Sequence, residues 1–189
     1  NAAIWFQDDR SDGRNIVDNY GVIKRSGGGD VIGSERGEGI DFTNRSGAVV
    51  EGDLYFGDGD DRLIFEPASV VDGDINGGGG SNRLTLQGSD GSEDTFVGNL
   101  RNFSTLEKTG EGRWTINQPL KNFDQVDVTQ GTLALTGNNA GFDGRVYVGQ
   151  SGVLEGSSSS LPSDSPSHGN IGNIVNDGLV RFVQNEDGV

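Results

Sequence analysis

Short stretches of alternating apolar and polar residues recur along this chain, each behind a glycine-led marker. Gly52-Asp53-Leu54 opens one copy and Gly73-Asp74-Ile75 the next, 21 residues later. Eleven residues beyond each opening glycine comes an apolar-x-apolar pair, Leu63 with Phe65 and then Leu84 with Leu86. A Gly/Asp/Asn turn lies between marker and pair. The marker recurs at Gly29-Asp30-Val31, Gly98-Asn99-Leu100, Lys121-Asn122-Phe123, Gly144-Arg145-Val146 and Gly169-Asn170-Ile171, seven copies at a mean of about 23 residues. Further pairs are Ile40 with Phe42, Leu133 with Leu135, and Val180 with Phe182. After Gly98 the pattern assigns the matching strand to Trp114-Thr115-Ile116, displaced by an insertion; after Gly144 it assigns Val153-Leu154, which comes early. Short strands and glycine turns at this period predict an all-β solenoid of about 23 residues per turn.

Alternation with period two puts one face of each strand inward and the other in solvent. Inward candidates in the second half are Leu106, Trp114, Ile116, Phe123, Val126, Val128, Leu133, Leu135, Val146, Val148 and Leu154. No segment carries a sustained 3.6-residue apolar period, so almost no helix is expected. Seven or eight turns stacked at strand spacing would make a rod on the order of 35–40 Å long. Residues 1–28 read as an irregular turn or cap, with Trp5 as cap packing, and residues 29–155 as regular turns. Residues 156–170 (GSSSSLPSDSPSHGN) read as a Ser/Pro-rich surface loop. Residues 171–189 read as a further turn cut short. The chain begins at Asn1 without Met, so a processed or excised piece is expected.

Composition sharpens this picture. Hydrophobic residues make up 31%, low for a globular core but suited to turns that each bury a few side chains. The formal charge of −15 is uneven, −11 over residues 1–100 and −4 over the remainder. Nucleic acid and anionic membrane surfaces are poor partners for such a chain, because phosphate binding needs clustered Lys and Arg. There is no cysteine, and no apolar run reaches the roughly 20 residues of a membrane-spanning helix.

Candidate chemistry is sparse. Gly57-Asp58-Gly59-Asp60-Asp61-Arg62-Leu63 matches the core of a glycine-rich calcium-binding nonapeptide, and Gly78 to Leu84 matches it more loosely, with Asn82 for Asp. Calcium takes six to eight oxygens, and these copies are separated rather than tandem; the plainer reading is Asp and Asn side chains capping turns. The carboxylates Asp58, Asp60 and Asp61, and Asp72 with Asp74, allow a glycan-cleaving pair. His168 is the lone histidine, and no serine sits in a G-x-S-x-G elbow: Gly149-Gln150-Ser151-Gly152 is followed by Val153. Asn44-Arg45-Ser46 and Asn102-Phe103-Ser104 match the N-glycosylation sequon. The reading assigns no catalytic, cofactor-binding or metal-binding residue and no enzymatic activity.

The stretch Leu106-Glu107-Lys108-Thr109-Gly110-Glu111-Gly112-Arg113-Trp114-Thr115-Ile116 resembles the L-x-K-x-G-x-G-x-[LW]-T-[LI] opening of the passenger repeat of bacterial autotransporters. Val126-Asp127-Val128 and Gly131-Thr132-Leu133 stand where that repeat has a V-x-V and a G-T-L strand. A more diverged second pass runs from Leu135 to Leu154. The resemblance is specific over residues 98–156 and general in style over 29–97. It implies a right-handed, single-stranded parallel β-helix with three short strands per turn, exported to the surface of a Gram-negative bacterium through a C-terminal β-barrel not included here. It implies adhesion to a host or other surface, autoaggregation or biofilm formation, or service as the stalk presenting an adhesive region. Its expected partners are a host-cell or surface ligand, or a second passenger. Enzymatic passengers carry nucleophile motifs that this chain lacks. The alternatives are a glycan-active β-helix enzyme and a calcium-stabilised repeat domain.

Overall fold

A computed structural model describes residues 2–7, 13–27, 29–34, 37–162 and 174–184. The described residues form strands and turns with no helix, and their parallel strands stack as a β-solenoid of about seven turns. The chain divides into two compact units. One holds Asn1–Leu86 with Val97–Thr105, the other Gln87–Phe96 with Leu106–Val189.

The first unit carries three columns of parallel strands. The markers build the first column: β1 (Ile4–Phe6), β4 (Asp30–Ser34), β7 (Asp53–Tyr55), β10 (Asp74–Asn76) and β13 (Asn99–Arg101). The apolar pairs build the second: β2 (Asn15–Asn19), β5 (Ile40–Asn44), β8 (Arg62–Phe65) and β11 (Arg83–Gln87). A third holds β3 (Val22–Lys24), β6 (Val49–Glu51) and β9 (Val70–Val71). Like residues stack on like: Leu54 on Ile75 and Leu100 in the first column, Phe42 on Leu63 and Leu84 in the second. All six are buried. Phe42, Phe56 and Phe103 add an aromatic row, with ring centroids 6.3 and 6.4 Å apart and the second contact edge-on.

The basic step between stacked residues is 21, the separation of Asp61 from its partner Asn82. The sequence mean of about 23 is longer because some turns carry extra residues, as between Ile75 and its partner Leu100. Residues before Gly29 are less irregular than expected. β1, β2 and β3 pair in register with β4, β5 and β6. Within that turn Ile16 and Val22 face solvent, at 74% and 59% exposure, rather than supplying core. Trp5 packs its ring over Gly33 as cap packing requires.

Thr105 N–H donates to Asn82 O, just as Arg83 N–H donates to Asp61 O. The second-column strand after Gly98 therefore starts at Thr105, not at Trp114, and no insertion is needed.

The second unit has β12 (Glu93–Phe96), β14 (Thr105–Thr109), β15 (Arg113–Ile116), β16 (Gln125–Leu135), β17 (Arg145–Gly156), β18 (Ile174–Asn176) and β19 (Leu179–Phe182). β16 is long enough to pair with both β14 and β15, and β17 with both β18 and β19. Lys121–Phe123 is thus no marker strand but part of a turn, and Leu133 and Leu135 belong to the second half of β16. Gly144-Arg145-Val146 leads into β17, whose Val146 stacks on Val126 and whose Leu154 stacks on Leu133. Every inward candidate of this half is buried. The marker at Gly169-Asn170-Ile171 lies outside the described residues.

Candidate functional site

The acidic turn of the first unit is an internal clamp. Asp61 is 1% exposed; its Oδ1 accepts Ile40 N–H at 2.7 Å, and its own N–H donates to Asn82 Oδ1 at 2.9 Å. Asn82 completes the ladder, its Nδ2 donating to Gly79 O, Gly77 O and Asn102 O at 2.7–3.1 Å. Asp61 occupies the equivalent place one turn away, and there its second oxygen, Oδ2, is buried with no partner. Burial, opposed by the Ile40 N–H and by Arg14, pushes its pKa up to about 7. Glu38 Oε2 is also buried without a partner.

The other acids of interest are occupied separately. Asp60 Oδ1 accepts Ser81 N–H at 2.7 Å, and Asp74 pairs with Arg101 and accepts from Asn99 Nδ2. The capping role accounts for Asp60, Asp61 and Asn82. Among the described residues no group of three or more His, Asp or Glu comes together as a metal site. Of the sequon asparagines, Asn44 is fully buried, its Nδ2 donating to Ala48 O and Val70 O, so it offers no amide for modification. Asn102 donates to Asn76 Oδ1 at 2.7 Å. His168 lies outside the described residues.

In the second unit Lys108 is fully buried. Its Nζ donates to Gly110 O, Thr109 O and Gln130 O at 2.6, 2.7 and 3.0 Å. Three carbonyls match the three donors of an ammonium. Burial pulls the pKa down to about 8, which leaves the group charged at pH 7. Lys108 ties the turn after β14 to β16.

The cleft of this unit lies over the outward face of β15, β16 and β17. It has a volume of about 390 Å³. Arg113 reaches across β16 to Glu155, Nη2 to Oε1 at 2.6 Å, and Arg181 holds Glu155 Oε2 at 2.9 Å. The Arg113 hydrogen bond, outweighing burial and joined by that of Arg181, keeps the Glu155 carboxyl below its ordinary range. The serine turn after β17 forms the rim. Ser157 N–H donates to Ser160 Oγ at 2.7 Å, and Asn139 fixes the turn from beneath, its Nδ2 donating to Ser160 O at 2.6 Å and its N–H to Ser159 O at 3.0 Å.

Neither Lys108 nor the cleft was singled out from the sequence. Lys108 follows Leu106 by two, which on a strand of period two places it inward. Arg113 and Glu155 are 42 residues apart; Arg113 steps to Thr132 and Thr132 to Val153, two residues short of Glu155, a diagonal relation that a 23-residue mean conceals. No family model, curated protein or solved structure matches this chain.

Proposed function

We propose that this chain is a surface-exported solenoid segment acting in adhesion, either by contacting a host or other surface or as the stalk that presents an adhesive region. The observation that carries this reading is the use of the candidate acids. Asp60, Asp61 and Asp74 hold turn to turn, while the outward strand faces and the serine-rimmed cleft of the second unit remain available for contact. The autotransporter resemblance of residues 98–156 supports the same reading. Buried ladders give such a segment stiffness, and the charge of −15 keeps it soluble.

Purified chain applied to host-cell monolayers and to protein-coated or abiotic surfaces tests the direct form. Saturable retention supports it; retention at background leaves the stalk. Sedimentation over a salt series tests pairing between copies. Like charges oppose that pairing, so dimers should tighten as salt screens them; a monomer at every salt concentration removes self-association.

A further inference from the structure

We propose that the cleft formed by Arg113, Glu155 and the Ser157–Ser160 turn binds a neutral saccharide chain. The inference deepens the adhesive reading and rests on it for its use at a cell surface.

Electrostatics select the class. Arg113 and Arg181 are balanced by Glu155 and by Glu93, which lies beside Arg113 in the ladder. The cleft therefore has no net draw for an anion or a cation. What it offers is a mixture of guanidinium donors, carboxylate lone pairs and serine hydroxyls that both donate and accept. A polyhydroxylated ligand uses all three.

Shape and stiffness agree with that choice. Val183, 43% exposed, supplies apolar lining suited to the C–H face of a sugar ring. Phe182, 57% exposed, sits beside Gly156 in the ladder at the cleft's border. A volume of about 390 Å³ lies within the range of small-molecule sites. Glu155 is held by two arginines, and the serine turn is pinned by Asn139 and by its own Ser157–Ser160 bond. Little side-chain freedom is left to lose on binding. Glu155 is the sole carboxylate among the described residues lining the cleft. With its carboxyl held below the ordinary range by Arg113 and Arg181, Glu155 is suited to accepting from sugar hydroxyls rather than to protonating a leaving group.

The test is an amide and guanidinium NMR titration of the whole chain with neutral hexaoses built from glucose, mannose, galactose and N-acetylglucosamine, to about 20 mM, deep into the weak-binding range. Hexagalacturonate and inorganic sulfate serve as charged comparators. Saturable shifts confined to Gly156–Ser160 and Arg113 with at least one neutral hexaose are expected. Ser158→Leu, on the exposed rim, and Arg181→Gln should each weaken them about tenfold. No shift with any neutral hexaose, shifts with the charged probes alone, or shifts that both variants leave unchanged would overturn the proposal.

The surface-retention assay, run on the same chain, separates the two readings. Retention with a silent cleft defeats the saccharide site and leaves adhesion standing. A responsive cleft without retention keeps the saccharide site and removes the direct form of adhesion, leaving the stalk.

Discussion

Arg113 and Glu155 are joined across an intervening strand, β16, whose Ala134, 2% exposed, neighbours Glu155. Arg113 lies beside Thr132, and Ala134 beside Glu155, so the pair spans two steps of the stack. Ala134 lies between inward Leu133 and Leu135, on the same outward face as the pair, where a larger side chain would crowd the bridge.

Ala134→Leu should therefore break the bridge from below and destabilise the second unit by about 1–3 kcal/mol, the usual range for overpacking. Glu155→Gln should cost about 1 kcal/mol, because the pair is only partly buried. Urea melts read both. Additive losses in the double variant would show that Ala134 does not act through the bridge.

Asp61→Asn should stabilise the first unit. The amide would copy Asn82, whose Nδ2 donates to carbonyls where Asp61 Oδ2 has no partner. The Asp61 pKa is raised from 3.8 to about 7 in the folded chain. Between those values the folded state binds more protons than the unfolded state, so stability falls as pH rises through the window. The variant should gain about 2 kcal/mol above pH 7, less toward pH 4, and lose this slope. Denaturant midpoints at pH 4, 6 and 8 measure it; parallel curves for the two proteins would contradict it.

Lys108→Met keeps the length of the side chain and strips three carbonyls of their donor. A loss of about 3 kcal/mol or more is expected, since each buried acceptor left alone costs about 1–3 kcal/mol. The Lys108 pKa is lowered from 10.5 to about 8. Between these values the unfolded state binds more protons, so this residue makes stability rise with pH across that window. The difference between the two proteins, measured by denaturant titration from pH 7 to 10.5, should widen with pH if the neutral amine keeps its contacts. A constant difference would place the Lys108 pKa near its ordinary value.

Gly78→Ala and Gly47→Ala separate crowding from conformational strain. Both residues have φ near +72°, at 72° and 73°. A Cβ on Gly78 would run into the Gly57 carbonyl of the neighbouring turn, whereas one on Gly47 meets open space. Gly47→Ala should cost about 1 kcal/mol from backbone strain alone. Gly78→Ala should cost several times more, by thermal or urea melting. Equal costs would mean that the turns at Gly57 and Gly78 are not packed as described.

The first unit was readable because marker, turn and apolar pair recur together: Leu54, Ile75 and Leu100 share one column as their spacing implies. The second was harder to read. In β16 and β17 two columns merge into single long strands, so Leu133 follows Val128 with no turn to mark the change. The spacing from Lys121 therefore leads to the wrong column, and the pattern places Trp114 where the strand in fact starts at Thr105. Polar residues doing structural work were the least visible. Lys108 and Asp61 look like solvent-facing charges until the register places them inside, and the Arg113–Glu155 bridge runs diagonally across a register that the sequence does not print. The serine run read as an undifferentiated loop, though Ser157–Ser160 is a bonded turn.

The most direct test of the adhesive reading is to display the chain on the surface of a non-adherent bacterium through an unrelated anchor. Attachment to host-cell monolayers and coated surfaces, and settling of the culture, are then scored against the anchor alone. Increased attachment or settling that free purified chain competes away is the result this account predicts. Attachment and settling equal to the anchor alone, with display at the surface verified, would contradict a direct adhesive role.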